Sequence, residues 1–255
     1  MGSDDDGAET RTTDADLRSE VRRVLDSARE TNIVLRATGG LAVWIRCPSA
    51  REAPLRRDFK DLDLVGPAGV AQPATALLES LGYRGDEEFN QLHGHQRLYF
   101  WDAQNHRQLD VFIERITMSH ELDLTNRVAL DEDTITLADL LLTKLQVFEI
   151  NEKDLKDAAA ILVDHPLDEG GIQVDRITLV LGNDWGWWRT ATGNLDKVGT
   201  YVAGLDRFGG SATVAGRIEE LKKRIEEAPK SMRWRMRAKV GERVRWYELP
   251  EEVEG

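Results

Sequence analysis

The chain has 255 residues, of which 41% are hydrophobic and 31% charged, with a formal net charge of −12, an ordinary balance for a globular protein of one large or two modest domains. The acidic excess argues against non-specific duplex binding, because phosphate contacts need lysine and arginine. No run of eighteen apolar residues occurs, which excludes a transmembrane helix and a membrane partner, and the single cysteine, Cys47, fits a reducing cytoplasmic setting.

The first sixteen residues, "MGSDDDGAETRTTDAD", are acidic and polar where a secretory leader would be basic and then apolar, so 1–16 is expected to be a disordered acidic tail. Leu17, Val21, Val24, Leu25 and Ala28 recur at helical spacing and predict a first helix over 17–30. "NIVLRA" predicts a strand that ends at Gly39-Gly40, and "LAVWIRC" opens a helix. A polar connection leads to "DLDLVG", the next strand, and "VAQPATALLESLGY" reads as a helix closed by Gly82. "QRLYFWDA" and "HRQLDVFIERI" alternate as strands around a turn at Gln104-Asn105.

The second half is predicted to be helical. "TLADLLLTKLQVFEI", with Thr136 as N-cap, and "EKDLKDAAAILVDH" form a pair, and most of the chain after about Asp175 continues as helix. The fold class is therefore α/β in the α+β sense: a small mixed sheet over 17–115, then a mostly helical region over 116–255 that walls one side of a cleft. In "DWGWWRTATGN", Trp185 and Trp188 share a helix face and suit core packing, while Arg189 and Lys197 on the same helix could line a groove. Between Arg217 and Arg245 there are eleven Lys/Arg against five Asp/Glu, which reads as a solvated basic helix with a closing hairpin or as a footprint for a polyanion.

The chemistry gathers in the first half. Residues two apart in a strand point to the same face, so Asp61 and Asp63 project together while Leu62 and Leu64 face the core. Two ionised carboxylates side by side repel, and burying them is costly unless a cation lies between them. Asp110 repeats the pattern in "QLDVFIE"; if the two strands are neighbours, three carboxylates converge as hard donors for Mg²⁺ or Mn²⁺. The amides of a Gly-Gly turn at a helix start can hold phosphates. Each fragment is weak alone; the ordered set of strand, Gly-Gly, helix, D-x-D strand, helix and third aspartate is stronger. His93 and His95 lack further ligands at zinc spacing, His106, His120 and His165 are isolated and expected to be exposed, and Cys47 suits buried packing.

"TGGLAVWIR…RRDFKDLDLVG" resembles the nucleotidyltransferase superfamily with the DNA polymerase β-type palm, whose signature is Gly-Gly or Gly-Ser, a spacer, [DE]-x-[DE] and a separate carboxylate. The 20-residue spacer between Gly40 and Asp61 is long, and Gly40 stands where a serine is usual. "ITLADLLLTKLQVFEINEKDLKDAAAIL" is similar to the AbiEii-like toxin branch, which includes the MenT-type enzymes. The resemblance covers about 33–163. It implies a minimal nucleotidyltransferase palm in which Asp61, Asp63 and Asp110 hold divalent metal and Gly39, Gly40, Lys144 and Arg57 hold the triphosphate. It also implies a "KD-x-x-D" element, Lys153-Asp154 with Asp157, in which one of the two aspartates serves the active site.

The implied function is Mg²⁺-dependent transfer of a nucleoside monophosphate from an NTP to a hydroxyl, with Asp110 taking its proton. The implied acceptor is a tRNA 3′ end, as in toxin-type enzymes with a cognate antitoxin. A small antibiotic-type molecule or a protein hydroxyl fits the same core, and a non-catalytic binding module on this fold is the reading from another class.

Overall fold

A computed structural model describes residues 12–248. The chain runs α1 (Leu17–Glu30), β1 (Arg36–Ala37), α2 (Gly39–Arg46), β2 (Leu62–Gly66), α3 (Ala71–Ser80), β3 (Arg84–Gly85), α4 (Glu87–His93), β4 (Arg97–Asp102) and β5 (Arg107–Ile113). It continues through β6 (Arg115–Thr117), β7 (Glu121–Asp123), α5 (Leu137–Leu145), α6 (Glu152–Asp164), α7 (Val174–Asn183), α8 (Trp185–Ala203), α9 (Ser211–Glu227) and α10 (Met232–Val240). This is the mixed α/β class expected: a five-stranded sheet in the order β1-β2-β5-β4-β3, with a separate β6-β7 pair and a helical second half.

Within the five-stranded sheet β2 and β5 pair in parallel and the other ladders are antiparallel. A parallel neighbour needs a crossover, and the chain from α3 to β4 supplies it. One hydrophobic core joins both halves: Leu62, Leu64, Leu109 and Val111 from the sheet, Leu41 and Val43 from α2, and Leu140, Leu141, Ile161 and Leu195 from the later helices. No helix among the described residues is long and apolar enough to cross a membrane.

α1 follows its sequence pattern, burying Val21, Val24, Leu25 and Ala28. It also buries Glu20, which periodicity alone would have left in water. Arg23 donates twice to this carboxylate at 2.7 Å and the Tyr83 hydroxyl donates at 2.6 Å. The preceding residues 12–16 are tied to the same place: the Thr13 hydroxyl donates to Asp102 at 2.8 Å and the Asp14 amide to Glu20 at 3.0 Å. Residues 1–11, the rest of the expected tail, lie outside the described residues.

Three elements differ from expectation. β1 holds two residues rather than six, because Ala37 bonds Asp133 and Ile135 on its outer side instead of extending the ladder. The run 106–116 breaks after Ile113, where Glu114 takes φ 56° and redirects the chain into the β6-β7 pair. In place of a closing hairpin, residues 241–248 form a 3-10 turn and an extended segment, and Trp246 and Tyr247 pack on Trp185 and Phe148.

His120, expected at the surface, is buried. Its ring stacks on Trp187 at 5.1 Å and its Nε2 meets the Thr190 hydroxyl at 2.9 Å. Burial lowers its pKa to about 4, with Asp184 opposing. A folded pKa below the unfolded one near 6.5 means that the unfolded chain binds the extra proton. Stability is therefore fully present above pH 6.5 and falls as pH drops towards 4, by roughly 2–3 kcal/mol. Urea melts at pH 7.5 and 4.5 are expected to show a smaller acid loss in His120→Gln than in the wild type. An equal loss in both chains would remove the group from this account. His165 is half-buried rather than exposed, its ring nitrogen 3.2 Å from the Arg46 carbonyl oxygen.

Candidate active site

The sheet register brings Asp63 and Asp110 together. They are direct partners across the parallel β2-β5 ladder, so their side chains leave the same face of the sheet. Tyr99 on β4 is the partner of Asp110 on its other side. Asp63 is half-buried and Asp110 is 3% exposed. Burial, then repulsion from Asp110, raises the Asp63 carboxyl to about pKa 6, while Lys144 and Arg97 pull it the other way.

Asp110 is held on both oxygens. Arg97 Nε donates to Oδ1 at 2.8 Å and Gln108 Nε2 donates to Oδ2 at 2.7 Å. Neither Arg97 nor Gln108 was singled out in the sequence, although Gln108 lies two residues from Asp110 and alternation alone puts it on the same face. Arg97 could be found only through the β4-β5 pairing.

Asp61 stands apart. β2 begins at Leu62, so Asp61 precedes the ladder and is exposed. Burial of its carboxyl, then the nearby Asp110 charge, still raises its pKa. Among the described residues no three His, Cys, Asp or Glu side chains are grouped closely enough to hold a metal ion. The closed three-carboxylate set expected from the spacing is thus reduced to two abreast and one at the lip, because D-x-D alternation ends where the ladder does. The donor chemistry still suits a hard divalent cation, which would relieve the repulsion that raises Asp63 and take its remaining ligands from water and phosphate oxygens.

The glycine turn lies against this pair. Thr38 donates its amide to the Asp63 carbonyl at 2.9 Å, and α2 starts at the next residue. Gly39 has φ 64°, a conformation glycine adopts without cost. A Cβ there would also overlap Oδ2 of Asp63, and one on Gly40 would overlap the Arg57 guanidinium. The α2 N-terminus carries no side-chain cap, which leaves its first amides without a partner from the cap residue.

Beside the turn lies a cluster of paired charges, two cations and two carboxylates. Arg57 makes a bidentate pair with Asp157, Nε to Oδ1 at 2.8 Å and Nη2 to Oδ2 at 2.7 Å. Lys144 on α5, 7% exposed, reaches Asp157 at 3.0 Å and Asp154 at 3.3 Å. Burial disfavours the Lys144 charge, but Asp157 and then Asp154 outweigh it and raise its pKa. Burial likewise opposes the Asp157 carboxylate, and Lys144 and Arg57 overcome it, leaving its pKa lowered. Both aspartates of the "KD-x-x-D" element therefore touch Lys144. Asp157 alone joins it to Arg57, whereas Lys153 is exposed and its charge acts on Asp61.

Other sequence candidates fall elsewhere. Arg189 pairs with Glu242 at 2.6 Å and Lys197 donates to the Phe148 carbonyl at 3.3 Å, both within the helical half. Trp185 and Trp187 are buried, whereas Trp188, expected to share the packing face with Trp185, is only half-buried and donates its indole N–H to Glu226 at 2.9 Å. His93 and His95 are exposed, and Cys47 is fully buried. A cavity of about 810 Å³ lies away from the carboxylates, between α8, α10 and the 245–248 segment, where Arg233, Arg237 and Arg245 are matched by Glu121, Asp184 and Glu248.

No protein-family model matches the chain, and no curated protein matches it. Among solved structures it is similar to the antibiotic-resistance factor ANT(2'')-Ia in solution, at 13% identity and TM-score 0.36 over 82% of this chain and 92% of that one. It is similar to crystalline ANT(2")-Ia in complex with adenylyl-2"-tobramycin, at 15% identity and TM-score 0.37 over 81% and 97%. It is also similar to an antigenic nucleotidyltransferase-like protein from Paracoccidioides brasiliensis, at 14% identity and TM-score 0.37 over 86% and 96%.

Proposed function

We propose that this chain is a nucleotidyltransferase that moves a nucleoside monophosphate from an NTP to a hydroxyl acceptor. The observation that carries the reading is the pairing of Asp63 with Asp110 across β2 and β5, with the Gly39-Gly40 helix start packed against Asp63. Gly39 and Gly40 present backbone amides to the triphosphate. Lys144 and Arg57, held by Asp157, supply positive charge for the departing pyrophosphate.

Asp63 and Asp110, with Asp61 from the lip, would hold Mg²⁺ or Mn²⁺, which when bound supplies charge neutralisation at the reacting phosphate. The acceptor hydroxyl gives its proton to a carboxylate of this pair. Asp110 is oriented for that role by Arg97 and Gln108. Catalysis rests on positioning and charge rather than on a covalent intermediate.

The finer reading is a toxin-like enzyme of the AbiEii and MenT kind, working in the cytoplasm on the 3′ end of an RNA and controlled by an antitoxin. Its support is the order of motifs, with Lys144 and the "KD-x-x-D" aspartates brought to one cluster. The test is a thermal-shift panel of the four NTPs with Mg²⁺ or Mn²⁺, followed by transfer of α-label into total RNA. At least one NTP is expected to raise Tm by several degrees and to label RNA. Absence of both a shift and transfer to any acceptor would leave the fold as a binding module.

A further inference from the structure

The sheet face that carries Asp63 and Asp110 continues onto β4, where alternation leaves Arg97, Tyr99 and Trp101 on the open side and buries Leu98, Phe100 and Asp102. Trp101 is the direct partner of Gln108, and Gln108 bonds Asp110. Of the seven tryptophans, all among the described residues, Trp101 is the one classed as exposed, at 37%. Its indole borders a cavity of about 390 Å³ shared with Phe59, Lys60, Asp61 and Gln108. Arg84, exposed on the edge strand β3, is its partner on the other side.

Trp101 keeps about a third of its surface open, 37%, and a planar ring beside it gains stacking. Lys60 lines the same cavity, Arg84 is the ladder partner of Trp101, and Gln108 offers an amide with both donor and acceptor groups. That combination suits one nucleotide unit: base on Trp101, phosphate towards Lys60 and Arg84. A polycation is disfavoured, since Asp61 is the cavity's one exposed carboxylate and Lys60 sits next to it.

The position says which nucleotide. Across the sheet the order is Gly39 beside Asp63, then Asp110, then β4 with Trp101. The phosphate seat and the indole thus lie on opposite sides of the carboxylate pair. In-line displacement requires the attacking oxygen and the leaving pyrophosphate to stand on opposite sides of the reacting phosphorus. We infer that Trp101, with Lys60 and Gln108, seats the terminal nucleoside of a single-stranded RNA acceptor so that its hydroxyl faces Asp110. This rests on the transferase reading above and adds a specificity residue for its acceptor.

The probe is a 5′-fluorescein-labelled single-stranded pentaribonucleotide with a free 3′ hydroxyl, followed by anisotropy at fixed ionic strength. Trp101→Ala is expected to weaken binding at least tenfold, as loss of one stacked base does, and Trp101→Phe to stay within about threefold of wild type. Lys60→Ala is expected to lower the salt slope by about one. The NTP-induced Tm shift should be unchanged in all three variants. Equal binding by wild type and Trp101→Ala overturns the proposal, as does no binding by wild type. Loss of the NTP shift in Trp101→Ala also overturns it, because the indole would then seat the NTP base. Failure of the transferase reading shows separately, as a wild type that no NTP stabilises.

Discussion

Asp157→Asn is expected to lower the stability of the fold by about 3–5 kcal/mol, the cost of breaking a buried ion pair by removing one partner. The carboxylate is 2% exposed and serves two cations at once, Arg57 in a bidentate pair and Lys144 at 3.0 Å. Asparagine keeps the shape but leaves both cations in a poorly solvated site with one neutral amide between them. Asp154→Asn is the comparison: it removes a single contact at 3.3 Å from a less buried residue and should cost about 1 kcal/mol or less. The Asp157 pKa is lowered by folding, so its contribution is present above the ordinary carboxylate value and is lost as pH falls through the depressed native one. Urea melts of the two variants at pH 7.5 decide the matter, and similar costs would contradict the hub role of Asp157.

Asp63→Asn is expected to act in the opposite sense on stability while removing activity. Its carboxyl is raised to about 6 by burial and by Asp110. A folded pKa above the unfolded value near 3.9 means that the native chain holds the extra proton, so stability falls as pH rises from about 4 to 6. At pH 7.5 without divalent metal, removing that charge should stabilise the fold by about 1–3 kcal/mol. Label transfer with Mg²⁺ should fall by roughly three orders of magnitude, as expected when preorganised charge at the reacting phosphate is lost. A variant that melts higher and still transfers within tenfold of wild type would separate Asp63 from the chemistry.

The two variants distinguish two kinds of buried charge in one site. Asp157 is compensated within the protein, so its removal costs stability. Asp63 is under-compensated, the state expected of a group kept for an external cation or phosphate-bound ligand rather than for the fold.

Much of this was legible in the chain itself. The apolar spacing of 17–30 determined α1, and alternation in "DLDLVG" and "QLDVFIE" determined which faces Asp63 and Asp110 use. Motif order pointed to Gly39-Gly40 and Lys144. These readings depend on period and local backbone need, which a sequence carries directly.

The rest depends on which strands and helices meet. Alternation could not show that Asp61 falls just before the ladder, that Glu20 and His120 are buried, or that Glu114 turns the chain into a second pair. The pairing of β4 with β5 decided the roles open to Arg97 and Trp101, and the packing of α6 beside the Gly-Gly turn decided that Arg57 and Lys144 share Asp157. The physical reason is the range of the interactions. Periodicity is written by neighbours a few residues apart, whereas charge compensation is set by groups such as Arg57 and Asp157 that meet only after folding, and a lone sequence records no trace of that meeting.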